Sequence, residues 1–296
     1  MTYVPGVVDL YRQSRLSLDY LQGAVDYWQN ATPYFNLKYD APGARFQHNH
    51  WDHSENPGRN LYAAVLARIV CGIEAELPVE KCWKALIYRS IPEGEALSFR
   101  PNPSPYDVSR GARDVAAEQN AQSEAPRLEA DLWDNRSVFT GLLLSYENTG
   151  DERAFEVACN MVRRIREIAF WEDDCAFFQT GSVTPGRNPE PGAEYVMGQN
   201  MGGWISPLLH YGSLSGDASA LDLARGLGKA FLAVYPETQF ATAKTIEPML
   251  HMNSHAVYFM LAGLVRLYRV TGERAFLDWA RWQFDGMLEH LCSATG

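Results

Sequence analysis

The segment HNHWDHSENPGR at positions 48–59 concentrates side chains that bind metals, transfer protons or recognise ligands. Zinc is coordinated by the residue types found at His48, His50, Asp52 and His53. Alternation along an extended loop would point the first three to one side. These residues precede the predicted helix, however, and lack the i, i+4 pair of histidines that fixes zinc geometry on a helix. We predict no cofactor, keep zinc as an alternative, and interpret the segment as a loop facing a ligand pocket, with a solvated loop as the plainer interpretation.

A tryptophan–aspartate pair stands at 51–52, and the same pair recurs at 133–134. Two further polar clusters begin predicted helices near 200 and near 253. Carboxyl groups at such positions can act as general acids, bases or nucleophiles. The predicted catalytic residues are Asp52, Asp134 and Glu194. The predicted substrate-binding residues, which would stack on a ligand or bind its polar groups, are Trp51, Glu55, Arg59, Trp133, Arg136, Tyr195, Gln199, Asn200, His251, Asn253 and His255.

Each of these clusters also has a purely structural interpretation. Asp134 and Asn135 are residue types that cap a helix N-terminus. The tryptophans of the two pairs could pack in the core. Arg59 and Arg136 could form local ion pairs with the aspartates of their own clusters. The recurrence of the pair is what favours a shared functional role over four unrelated local ones.

The elements that must position these residues are helical hairpins. In 134–170, apolar residues recur at spacings of three and four on both sides of a TGD triplet, which is the helical period. Gly150 can adopt the left-handed conformation that ends a helix, and Asp151 can cap the next one. Similar hairpins are predicted at 58–87, 200–232 and 255–288, with turns at Gly72, Gly216 and Gly272.

The repeated hairpins, with a first helix at about 10–29, predict about nine helices and an ordered array. One side has short turns, whereas the other has the long links 88–132, 171–199 and 233–252, and long loops on a rigid scaffold usually carry the binding site. The predicted fold is all-α, an (α/α) toroid or barrel of helical hairpins in a single domain over 1–296. The predicted number of helices is smaller than the twelve of a closed six-hairpin ring. If the hairpins are equivalent, the helices that enter the turns run parallel and their N-terminal clusters face one cavity. An incomplete ring would expose apolar helix faces, which favours a homo-oligomer.

The composition of the chain restricts the classes of partner that it can bind. The chain has 296 residues and a formal net charge of −10, which argues against nucleic acid or an anionic membrane as a partner. The five cysteines form no CxxC pair and are interpreted as reduced thiols. No signal-peptide pattern begins the chain and no apolar run is long enough to span a membrane, so we predict a cytoplasmic protein that binds a small molecule or an oligosaccharide.

Three segments together resemble the hairpins of (α/α)6-toroid carbohydrate-active proteins: HWDHSENPGRNLYAAVLARIVCG, WDNRSVFTGLLLSYENTGDERAFEVA and SHAVYFMLAGLVRLYRVTGERAFLDWARWQFD. The group most similar to them is the β-L-arabinofuranosidase-like proteins, and the resemblance covers most of the chain from about 48 onward. For members of that group, the resemblance implies a cysteine nucleophile held by zinc, together with carboxylates. These residues would lie C-terminal to a hairpin equivalent to 255–291. Cys292 lies too early to match that nucleophile, so no cysteine takes the role here.

Three functions remain open at this point. The first is a glycoside hydrolase or polysaccharide lyase that uses the rim carboxylates, with His255 or Tyr195 as the base of a lyase. The second is a non-catalytic glycan-binding or assembly protein on the same scaffold. The third is a terpenoid cyclase-like toroid, which the acidic segment FWEDDC (170–175) resembles only in part, because the leading aspartate of a DxDD motif is missing.

Overall fold

The computed structural model describes residues 8–34, 36–38, 43, 45–48, 52, 54–102, 127–178, 182–187, 199–234 and 254–291. The chain divides into two compact units. Unit 1 comprises Met1–Met161 and Thr184–Gly186, and unit 2 comprises Val162–Val183 and Arg187–Gly296. Each unit is described by itself, and the single domain predicted over 1–296 stays a prediction.

Unit 1 consists of helices with short antiparallel strand pairs between them. Its helices are α1 (Leu10–Gly23), α2 (Glu55–Cys71), α3 (Pro78–Arg89), α4 (Leu132–Thr149) and the first part of α5 (Glu152–Ile168). The strand pairs are β1 (Val25–Asp26) with β2 (Thr32–Pro33), β3 (Asn36–Lys38) with β4 (Arg45–Gln47), and β5 (Arg100–Asn102) with β6 (Arg127–Asp131).

Helices α2 and α4 run parallel in a constant register. A Cβ added to Gly58 would lie 2.4 Å from the backbone nitrogen of Val138, and one added to Gly141 would lie 2.5 Å from the carbonyl oxygen of Gly58. The helices therefore cross backbone against backbone, which only glycine permits. Gly58 and Val138 are 80 positions apart in the sequence. Near the C-terminal ends of the two helices, the Arg68 guanidinium donates to the side chain of Asn148, which is also 80 positions away. This register brings the N-terminal ends of the two helices together, as the hairpin repeat predicted.

The C-terminal ends of the same helices form the turns. Gly72 and Gly150 have φ of 65° and 69°, so both take the left-handed conformation predicted for them. Asp151 accepts a hydrogen bond from the Ala154 amide at 3.2 Å, which confirms its predicted cap. Buried Arg68 is paired with Glu80 and holds the first turn together.

Unit 2 repeats the arrangement. It contains the rest of α5, then β7 (Ala169–Glu172), β8 (Cys175–Phe178), β9 (Ser182–Val183), α6 (Gln199–Ser215), α7 (Ala218–Val234), α8 (Ser254–Thr271) and α9 (Arg274–Leu291). A Cβ on Gly202 would lie 3.0 Å from the Met260 Cα, and one on Gly263 would lie 2.9 Å from the Ile205 Cβ. Both contacts join residues 58 positions apart, so α6 and α8 also run parallel.

The helical-hairpin class is confirmed, with one correction of detail. The first helix ends at Gly23 rather than about 29, because a 3₁₀ turn at Tyr27–Gln29 and the pair β1–β2 follow it. The acidic segment 170–175 lies in the β7–β8 hairpin, where Asp174 is ion-paired with Lys229. Within the described residues there are nine α-helices, and none is long and apolar enough to cross a membrane.

Candidate functional site

Asp134 lies in the first turn of α4 and its side chain is completely buried. Its Oδ2 atom is 2.5 Å from the Ser54 hydroxyl, which donates to it, and 3.2 Å from Nε of Arg100. Its Oδ1 atom is buried and has no hydrogen-bond partner among the residues described. One carboxylate oxygen is thus fixed in position, and the other is left for a ligand or a proton.

Burial, together with the nearby carboxylates of Asp131 and Glu55, raises the pKa of Asp134 to about 8. The Arg100 guanidinium and the Ser54 hydroxyl act in the opposite direction, since both stabilise the charged form. A carboxyl group with this pKa is largely protonated at neutral pH. Asp134 can therefore donate a proton, which an ordinary surface aspartate cannot do at that pH.

A second group of side chains surrounds the Trp133 ring. The Arg136 guanidinium lies 3.9 Å and the Arg59 guanidinium 5.7 Å from the ring centroid. Glu55 is ion-paired with Arg59 and receives a hydrogen bond from the Trp133 side chain. Burial raises the pKa of Glu55 despite these cations, and burial also lowers the pKa of Arg136 to about 10. Arg136 covers one ring face, and Trp133 as a whole is only 7% exposed.

Asp52 belongs to a neighbouring network in which His48 bridges two carboxylates. The Nδ1 atom of His48 is 2.7 Å from Asp52 and its Nε2 atom is 3.3 Å from Asp26. Asn56 donates to the other oxygen of Asp52 at 2.7 Å, and the Tyr34 ring stacks on His48 with centroids 4.2 Å apart. The carboxylate of Asp52 is buried and held in one orientation.

The helix cap at the start of α4 differs from the expectation. Asp131, and not Asp134 or Asn135, accepts the amide hydrogen bonds, from Trp133 at 2.7 Å and from Asp134 at 3.4 Å. Asn135 instead pairs with the backbone of Ser98 in both directions, at 2.8 and 2.9 Å. Asp134 is thus released from a capping role and turned towards Ser54.

The structure describes six of the predicted catalytic and substrate-binding side chains. Asp52, Glu55, Arg59, Trp133, Asp134 and Arg136 all lie at the N-terminal end of the α2/α4 pair in unit 1. Trp51, Glu194, Tyr195, His251 and Asn253 lie outside the described residues, as do the side chains of Gln199, Asn200 and His255. His50 and His53 of the zinc alternative also lie outside them, and the residues described contain no group of three or more metal ligands.

Sequence reasoning missed Ser54, Arg100 and Asp131, which contact or flank Asp134. Asp131 carries a usable signal, because it stands two and three residues before the amides it caps. Ser54 looks like the N-cap of α2, yet its side chain makes no cap hydrogen bond and serves Asp134 instead. Arg100 gives no sequence signal, since it reaches the site from β5.

No family model matches the sequence, and no curated protein sequence matches it either. Solved structures do share its fold, and (α/α)6-toroid carbohydrate-active enzymes are among those similar to it. A D-mannose isomerase is 11% identical with a TM-score of 0.63, over 100% of this chain and 74% of that one. An unsaturated glucuronyl hydrolase from Bacillus sp. GL1 is 14% identical with a TM-score of 0.55, over 81% of this chain and only 63% of that one.

A third similar structure is a glycoside hydrolase family 76 mannosidase from Bacteroides thetaiotaomicron. It is 14% identical with a TM-score of 0.52, over 96% of this chain and 72% of that one. At these identities the likeness concerns the fold alone, and it confirms the predicted (α/α)-toroid class.

Proposed function

We propose that this protein is a carbohydrate-active enzyme of the glycoside hydrolase type, in which Asp134 is the general acid. The observation that carries the proposal is a buried carboxyl group with a pKa of about 8, at the meeting point of two parallel helices. Glycoside hydrolysis needs such a group to protonate the leaving oxygen. The likeness to toroid enzymes that act on sugars supports this choice of chemistry over others open to a protonated carboxyl.

The second carboxylate of the proposed mechanism is Asp52. Asn56 and His48 each contact one of its two oxygens, and these contacts hold the carboxylate in one orientation. Asp52 would act as base or nucleophile, while Arg59, Arg136 and Trp133 bind the sugar. Glu194 and the remaining predicted binding residues belong to the same proposal.

The residue-level test is Asp134→Asn, which removes the acidic proton and keeps the shape. Turnover should fall by roughly 10²- to 10⁴-fold on glycosides with poor leaving groups. The loss should be much smaller on nitrophenyl glycosides, whose leaving groups need little protonation. An equal loss on both classes, or full activity on both, would rule out Asp134 as the acid.

The choice of substrates starts from the resemblance to β-L-arabinofuranosidase-like proteins, so arabinofuranosides come first, followed by mannosides and uronic-acid glycosides. Each substrate is tested on the wild-type chain and on Asp134→Asn. Glycan binding without turnover by the wild-type chain would instead favour the non-catalytic assembly role. A homo-oligomer stays part of the proposal.

A second candidate is sugar isomerisation or epimerisation, in which a proton is moved on the sugar itself. It is favoured by the His48 bridge between Asp26 and Asp52, an arrangement that can pass a proton. Incubation of free aldoses with the protein in D₂O separates the two candidates, since isomerisation exchanges a carbon-bound hydrogen and hydrolysis does not. His48→Asn should abolish that exchange.

A further inference from the structure

Two clefts in unit 1 lie away from the candidate site. One, of about 430 Å³, runs between the 3₁₀ turn at Tyr27–Gln29 and the end of α3; the other, of about 310 Å³, continues along α3 to Arg153. They share Asn30 and Arg89, so they form one groove, which we call the α3 groove. Neither is lined by Asp134, Ser54, Arg100 or Asp131.

The α3 groove carries two arginines that no carboxylate of the described residues pairs with. Arg89 donates to the Ala85 carbonyl, and the Arg153 guanidinium lies over the Tyr88 ring at 4.1 Å. Neither forms an ion pair with a described carboxylate. This is notable in a chain of net charge −10, where carboxylates outnumber cations. Two such guanidinium groups on one groove favour an anionic ligand.

Tyr88 adds a hydrogen-bond donor between them. Its hydroxyl is buried and has no partner among the described residues, although the side chain lines the groove. Burial raises the pKa of this hydroxyl, and the Asp151 carboxylate raises it further, so the group stays protonated. A buried hydroxyl without a partner costs stability, and a ligand oxygen would supply the missing acceptor.

The other end of the groove presents an aromatic platform. Trp28 is 98% exposed, although large apolar rings are normally covered. The backbone that carries it is fixed: the Trp28 amide donates to Asp26 at 2.9 Å, and Asn30 and Ala31 beyond it hold positive φ of 59° and 57°. The buried Trp83 indole anchors that turn by donating to the Ala31 carbonyl at 2.9 Å. An exposed indole on an anchored turn can stack on the face of a sugar ring.

We propose that the α3 groove is a second binding site, for a saccharide that carries a carboxylate or a phosphate. Trp28 stacks on a sugar ring, and Arg89, Arg153 and the Tyr88 hydroxyl bind the anionic group. Asp134 does not line this groove, although β5 supplies both Pro101 of the groove and Arg100 beside Asp134.

Isothermal titration calorimetry with four probes tests this site: tetragalacturonate, glucose 6-phosphate, uncharged cellotetraose and inorganic phosphate. At least one charged sugar should bind ten or more times tighter than either control probe, and the one that does identifies the anionic group. The titrations are made on Asp134→Asn protein, so that turnover does not interfere and a failure of the catalytic proposal does not affect the result.

The variants Trp28→Ala, Arg89→Gln and Arg153→Gln should each weaken that binding about tenfold, which corresponds to about 1.4 kcal/mol. Tyr258→Ala and Arg166→Gln remove an exposed ring and an exposed cation in unit 2, and should leave it unchanged. Absence of binding by both charged sugars would overturn the proposal. So would equal binding of phosphate alone, or equal effects of the control variants.

Discussion

The α2/α4 pair and the α6/α8 pair share one construction, parallel helices in contact at glycines, but the described parts of the two pairs bury different side chains. Where α2 meets α4, the buried side chains include two carboxylates, Glu55 and Asp134, and the guanidinium of Arg136. Where α6 meets α8, the described contacts are apolar and include Ile205 and Met260. Of all the buried polar side chains described, only Gln283 belongs to unit 2.

The difference shows that a contact of two parallel helices at glycines does not itself require buried charge. A buried carboxyl or guanidinium group loses several kcal/mol of hydration, which its partners recover only in part. In the part of unit 2 that the structure describes, α6 and α8 form the same kind of glycine contact with apolar side chains. The helix contact therefore does not explain the buried charges of unit 1, and function is the reason we infer for keeping them.

The largest expected effect is a loss of stability when a glycine at the helix contacts is replaced by alanine. Gly58→Ala should destabilise the protein on the order of 3 kcal/mol, because its Cβ would lie 2.4 Å from backbone atoms of α4 that cannot rotate away. Gly202→Ala should cost only about 1 kcal/mol, since its nearest contacts are at 3.0 Å. Urea denaturation of both variants measures the two changes.

Gly23→Ala is the matched control, because nothing lies within 4 Å of an added Cβ there. It should leave the free energy of unfolding within about 0.5 kcal/mol of the wild type. Equal losses for Gly58→Ala and Gly202→Ala would mean that the two helix pairs are not packed differently at their glycines.

The next largest effect is a dependence of the free energy of unfolding on pH, caused by the buried carboxyl group of Asp134. The folded-state pKa of Asp134, about 8, lies above its unfolded value, so the folded protein binds the extra proton between those values. Stability should therefore fall as pH rises towards 8, by roughly 2 kcal/mol between pH 6 and pH 8. The raised pKa values of Glu55 and Asp131 act in the same direction.

Asp134→Asn removes this titration, so its unfolding free energy should change less over the same range. Denaturation curves of both proteins at several pH values make the measurement. A wild-type protein that becomes more stable from pH 6 to pH 8 would contradict a protonated Asp134 in the folded state.

How far the sequence predicted this site depends on what sets its register. The hairpins, their glycine turns and the parallel N-termini follow from periodicity and left-handed glycines, which are local signals. The repeated Trp–Asp pair suggested that Asp52 and Asp134 are equivalent, but α4 packs so that Asp134 lies against Ser54. That register is set by the contact of Gly58 with Gly141, a long-range packing feature that neither segment reveals alone.

The smallest effect tests the Ser54 contact directly. Ser54 donates to Asp134 at 2.5 Å and so stabilises its charged form, which lowers the pKa of Asp134. Ser54→Ala should raise that pKa and move the alkaline limb of the activity profile upwards by less than about one pH unit. Ser54→Thr keeps the hydroxyl and should keep the limb in place. If the limb instead moves to lower pH in Ser54→Ala, the acid that controls turnover is a group other than Asp134, and the buried charge of unit 1 needs a different explanation.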